Sequence, residues 1–192
     1  MRLRLHSWVR WLHVYISMFS LLAVLFFAVT GITLNHPDWT FGSAERVTEA
    51  AGQLPAGWTT GGQVDWLLVV EHVRGEHGVR GLVSDRFADE HEGWLTFKAP
   101  GYSADFSFDT HTGAYEVTTA EQGALAVLND LHRGRDAGRA WAWLVDLSGA
   151  FLALLALTGL GILFYLKRVR ASAFMAAAAG GALLIVLTVL VT

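Results

Sequence analysis

Three stretches of the chain are apolar without a break, and the region between the first two changes pattern every few residues. Val14 to Leu34 runs 21 residues without a charge, Leu147 to Leu166 gives 20 and Ala171 to Thr192 gives 22. At 1.5 Å per residue each reaches about 30 Å, the thickness of a bilayer's hydrocarbon core, so each predicts a membrane-spanning helix. The first stretch follows a basic segment, but it is too long for a signal-peptide core and no small-residue cleavage site follows it. It reads as an uncleaved anchor.

Between the first two spans the periods shorten. Residues 42–62 hold five Gly and a Pro with little periodicity and read as a linker. From Gln63 to Glu76, Trp66, Leu67, Val70 and Val73 recur at helical spacing, which predicts an amphipathic helix. Val79–Phe87, Gly93–Lys98, Tyr102–Phe108 and Ala114–Thr118 are short and alternating, with Ala99-Pro100-Gly101 and Asp109 to Gly113 as turns, so they predict strands. A second helix is expected over Ala120–Leu131. The sum is a small α+β module. It carries no H-E-x-x-H, no G-x-S-x-G and no phosphate-binding glycine loop. Its His72, His77, His91 and His111 sit among acids and read as solvated surface groups.

Composition agrees with the pattern. Hydrophobic residues make up 53% of the chain and charged residues 16%, against roughly 25% charged in soluble domains, which excludes a soluble globular enzyme. The absence of cysteine excludes disulfides, thiolate metal sites and thioether-attached haem. All 17 acids lie between Asp38 and Asp146, whereas Arg2, Arg4, Arg10, Lys167, Arg168 and Arg170 flank the spans. Positive charge stays on the cytoplasmic side, so the N-terminus is expected inside, and the acidic central region and the C-terminus outside. No nucleic acid is expected as a partner.

Three segments resemble a known family: WLHVYISMFSLLAVLFFAVTGITLNHPDW (11–39), FSFDTHTGAYEV (106–117) and LNDLHRGRDAGRAWAWLVDLSGAFLALLALTGLGILFYLKR (128–168). They are similar to the PepSY-associated transmembrane-helix family, in which a PepSY module is inserted between membrane helices. The resemblance implies an α-helical membrane protein with three transmembrane helices and an inserted α+β PepSY-like periplasmic domain, in a bacterial inner membrane. The expected divisions are 1–36 for the N-terminal segment and first helix, 37–142 for the domain, 143–168 for the second helix and 169–192 for the third. Larger relatives include bis-histidine haem reductases of ferric siderophores, which implies b-type haem and electron transfer to an external ferric chelate. Other relatives are presumed regulators of peptidases, which implies instead a non-enzymatic membrane-anchored binding or regulatory module. The small size and the packing-prone third span leave an accessory subunit of a larger membrane complex as a third alternative.

If haem is bound, the ligands are expected among His13, His36 and His132, at the edges of the spans, where ionisable groups tend to be functional. His13 and His36 are 23 residues apart, about 34 Å along a helix, and cannot share an iron. His36, before Pro37, should end the first helix. His132 lies just before the second span, so His36 and His132 are the pair expected within one chain, with Arg133, Arg135 and Arg139 available to the propionates. His13 shares a small, polar face with Ser17, Ser20 and Gly31, but the inner end of the second span offers it no opposing histidine. Its partner would come from a homodimer or another protein. Both spans also contain a Thr-Gly pair, Thr30-Gly31 and Thr158-Gly159, whose ordinary role is close helix packing.

Overall fold

The computed structural model describes residues 2–36, 38, 39 and 45–192, with side chains from His6 onward. The chain divides into two compact units, residues 1–26 with 146–192, and residues 27–145. Three helices are long and apolar enough to cross a bilayer: α1 (Arg2–Leu34), α4 (Gly138–Leu163) and α5 (Arg170–Val191). Their backbone polar groups bond within each helix, which is what a hydrocarbon solvent demands. Side chains such as Leu22, Leu157 and Leu190 stand exposed, as lipid-facing residues do. No residue of the apolar window of α5 is buried. The protein is a membrane protein.

Each span begins before its charge-free stretch. α1 starts at Arg2 and α4 at Gly138, five residues ahead of the expected division at 143, because basic and aromatic residues at interface depth continue a helix without entering the apolar core. Pro37, expected to end the first helix, lies outside the described residues. The helix is closed before it by tight turns, with Asn35 N–H donating to Ile32 O and His36 N–H to Thr33 O.

The unit of residues 27–145 is built on an antiparallel sheet. Its elements in chain order are β1 (Arg46–Gln53), β2 (Thr59–Thr60), β3 (Gln63–Val64), α2 (Trp66–His77), β4 (Leu82–Ala88), β5 (Glu92–Ala99), β6 (Tyr102–Asp109), β7 (Ala114–Glu121) and α3 (Ala124–Arg133). The five long strands lie in the order β1-β7-β6-β5-β4, while β2 and β3 form a separate short hairpin. In β5, β6 and β7 every second residue turns inward: Leu95 and Phe97, Ala104, Phe106 and Phe108, Tyr115 and Val117. Val69 and Val73 of α2 are fully buried with them in one cluster. Asp65 starts α2 by accepting the N–H groups of Leu67 and Leu68, which places the helix start at Trp66, the first residue of the apolar period and three residues after the expected Gln63.

The expected linker is half wrong. Residues 46–53 form an edge strand paired along β7 from Arg46↔Glu121 to Gln53↔Ala114. Its side chains are almost all exposed, so it has no apolar alternation to read, and only the pairing reveals it. β7 in turn runs on to Glu121, which delays α3 to Ala124. Gly101 anchors that helix on the β5–β6 turn. Its φ of 64° suits glycine, its N–H donates to Asp130 Oδ2 at 2.8 Å, and a Cβ would collide with Val127.

Candidate functional site

The unit of residues 27–145 brings the C-terminal end of α1 against α3. Thr30 and Thr33, one turn apart on α1, face His132 and Asn129, one turn apart on α3. Thr30 Oγ1 lies 2.6 Å from His132 Nδ1, and Thr33 Oγ1 lies 2.6 Å from Asn129 Oδ1. Both threonines are buried. The imidazole of His132 lies over Gly31, whose added Cβ would sit 3.5 Å from its Cε1, and it meets Phe27 edge-on with centroids 5.1 Å apart. Gly31 therefore lets an aromatic ring approach the α1 backbone at van der Waals distance. A hollow of about 470 Å³ opens beside this contact, lined by Leu34, Trp39, Asn129, Asp130 and Arg133 among others.

The unit of residues 1–26 and 146–192 repeats the arrangement with other residues. His13 Nδ1 of α1 lies 2.9 Å from Thr158 Oγ1 of α4, and its Cε1 would be 3.4 Å from a Cβ at Gly159. Thr158 has one hydroxyl proton, and the carbonyls of Leu154 and Leu155 take it at 2.8 and 3.0 Å. When the hydroxyl donates to one of these carbonyls, its oxygen accepts from Nδ1–H of His13, and Nε2 then keeps its lone pair. Nε2 makes no hydrogen bond among the described residues. A histidine held at Nδ1 with Nε2 open is the state in which imidazole binds a metal, and the partner at Nδ1 fixes the ring's orientation.

The expected site residues are thus distributed as follows. His132 and His13 each sit on a Thr-Gly pair. His36 stacks on Trp39, centroids 4.1 Å apart and planes within 6°, and no hydrogen bond or ring contact joins it to His132 among the described residues. Arg133 pairs with Asp130, while Arg135 and Arg139 are exposed and without an ionic partner among the described residues. Nor does any group of three or more His, Cys, Asp or Glu converge as a metal site among them.

The two Thr-Gly pairs were visible in the sequence, but their partners were not. Thr30 and His132 are 102 residues apart and Thr158 and His13 are 145 apart, so only the fold joins them.

Apolar spans around an inserted antiparallel sheet agree with the family whose model the chain matches. The model of the PepSY_TM-like family covers residues 7–192. The chain belongs to this family. No curated protein and no solved structure matches it. Membership accounts for the architecture, whereas activity must be argued from the site itself.

Proposed function

We propose that this PepSY_TM-like protein binds b-type haem through His13 and His132 and passes electrons across a bacterial inner membrane to an external ferric chelate. The single observation that carries the reading is the repeated arrangement of an imidazole whose Nδ1 is bonded to the threonine of a Thr-Gly pair and whose ring lies against the glycine.

The donor chemistry fits the group. With its proton on Nδ1, His13 offers Nε2 as a lone pair, and Thr158 orients the ring. His132 is oriented from both sides, by Thr30 and by the ring of Phe27. Gly31 and Gly159 keep the neighbouring backbone clear of bulk. The exposed guanidinium groups of Arg135 and Arg139 suit anionic propionates or an anionic chelate, and the hollow beside α3 gives such a chelate room near His132. One chain supplies one such imidazole at each place, so coordination by two imidazoles calls on a second copy of the chain. When bound, haem supplies a one-electron iron couple, and the protein supplies its ligands and its apolar surroundings. The lipid bilayer is the other partner of the three spans.

The test is the visible spectrum of the protein purified in detergent. A Soret band with a sharp reduced α-band is expected. His13→Ala and His132→Ala should each lose or convert part of the low-spin signal, and His36→Ala should keep it. A preparation that stays colourless after haem is supplied would overturn the reading and favour a membrane-anchored binding module.

A further inference from the structure

Far from both of these histidines in sequence, the phenol of Tyr115 stands between two other imidazoles. Its Oη lies 2.8 Å from His77 Nε2 and 3.3 Å from His72 Nε2. Both imidazoles meet the Tyr115 ring edge-on, with centroids 5.6 and 5.7 Å away. Tyr115 is 5% exposed and the histidines are half-buried, so the three groups lie where the core meets solvent. A phenol has one proton, so it can donate to one Nε2 and must accept from the other.

The placement is specific. α2 brings both histidines, β7 brings the tyrosine, and β1 leaves space for its oxygen. Gly52 is the register partner of Tyr115, and a Cβ on it would stand 2.5 Å from Oη. Any side chain at position 52 would move the phenol. Burial, with Glu76 nearby as the lesser cause, raises the Tyr115 pKa above the ordinary 10.0, so the phenol is protonated at neutral pH.

We propose that His72, His77 and Tyr115 form a binding site for a divalent first-row transition cation, with Cu²⁺ held most tightly. Two imidazole nitrogens within 2.8 and 3.3 Å of one phenol oxygen form a compact N₂O donor set; imidazole suits copper or zinc, and divalent affinity peaks at copper. Both imidazoles enter as Nε2 donors with their protons on Nδ1. The oxygen enters as phenolate and releases one proton to solvent, so affinity rises with pH. No electron moves. Water completes the coordination on the exposed side.

His91 and His111 provide the internal control. Their rings are 5.7 Å apart in the two hairpin turns, but no phenol lies between them among the described residues.

The experiment is a Cu²⁺ titration of the full chain in detergent, purified through a histidine-free tag, with glycine as competing chelator and electron paramagnetic resonance as readout. One tightly bound ion with two-nitrogen hyperfine structure and release of one proton is expected. His72→Gln and His77→Gln should each weaken binding at least tenfold, and Tyr115→Phe should abolish the proton release. Gly52→Ala, which removes no donor but displaces the phenol, should also weaken binding. A His91→Gln, His111→Gln double variant should bind as the unaltered chain does. The proposal is overturned if no ion binds against glycine, if the His72→Gln, His77→Gln double variant binds like the parent, or if binding follows His91 and His111.

Discussion

His132 Nδ1 and Thr30 Oγ1 are 2.6 Å apart, and the residue after Thr30 is the glycine on which the His132 ring rests. His13 and Thr158 repeat the relationship at 2.9 Å, with Gly159 beneath the ring. A threonine followed by glycine supplies two things that an imidazole at a helix surface needs: a hydroxyl that fixes one ring nitrogen, and backbone with no side chain in the ring's way. Neither requires haem, yet together they hold the ring by Nδ1 and leave Nε2 out of the contact with threonine.

The threonine hydroxyls should therefore matter in a measurable way. Thr158→Val and Thr30→Val keep the shape and remove the bond. Interhelical hydrogen bonds in membranes contribute about 0.6 kcal/mol on average and up to about 1.7 kcal/mol. Each variant is expected to lower stability within that range in reversible detergent unfolding, and Thr→Ser at the same positions should recover most of it. Equal stability of the valine and serine variants would show that the bonds contribute nothing.

How much of this was legible beforehand follows the range of each signal. The three spans depend on uninterrupted apolarity, which lies in consecutive residues, and their existence was plain from Val14–Leu34, Leu147–Leu166 and Ala171–Thr192. β5 to β7 were legible because one face is buried, so Leu95, Phe97, Phe106 and Phe108 alternate with polar neighbours. β1 was not, since an exposed edge strand held only by backbone pairing leaves no periodic trace. The histidines were legible as candidates and illegible as contacts. His72 and His77 read as solvated groups among acids, and only the packing of α2 on the sheet shows that both reach Tyr115.

The glycines under the rings give a size-graded test. A methyl group at Gly159 would lie 3.4 Å from His13 Cε1 and one at Gly31 would lie 3.5 Å from His132 Cε1, both ordinary contacts. Gly159→Ala and Gly31→Ala should accordingly retain near-parental stability. Gly159→Leu and Gly31→Leu add branches that have no room and must push the ring off its threonine, a strain of about 1–3 kcal/mol. If haem is bound, the leucine variants should also lose intensity in the low-spin spectrum, and the alanine variants should not. A leucine variant as stable as the parent would mean that the ring is not held there.

The two hairpin turns predict an acid response. Asp109 accepts the N–H groups of Thr112 and His111 and the Thr112 hydroxyl, and Asp89 accepts those of Glu92 and His91. In both, backbone donors are the main cause that holds the carboxyl below its ordinary 3.8. A depressed folded-state pKa stabilises above the unfolded value, about 3.9, and that contribution is lost as pH falls through the folded value. The carboxylate contribution should be fully present well above the unfolded value, and the turns should loosen as it is lost in stronger acid. Asp109→Asn should flatten the acid limb of a melting-temperature profile. An unchanged limb would place the acid sensitivity elsewhere.

The last prediction concerns orientation. The basic residues Arg2, Arg4 and Arg10 precede the apolar part of α1, Lys167 and Arg168 lie in the short link between α4 and α5, and Arg170 opens α5. The central region from Asp38 to Arg139 instead carries 16 acids against eight basic residues. Short basic segments stay on the cytoplasmic side, and acids contribute little to the decision, so the two basic clusters alone determine the expected orientation. Both clusters point the same way: N-terminus and α4–α5 link inside, sheet and C-terminus outside. A periplasm-active reporter should work when fused at Gly57, in the loop between β1 and β2, and also after Thr192, while a cytoplasm-active reporter should be silent at both. Removing Arg2, Arg4 and Arg10 together should reduce the fraction correctly inserted, because the α4–α5 link would then act alone. A cytoplasmic signal at Gly57 in the parent chain would reverse the orientation, and would place the Cu²⁺ site and the hollow beside His132 on the cytoplasmic side.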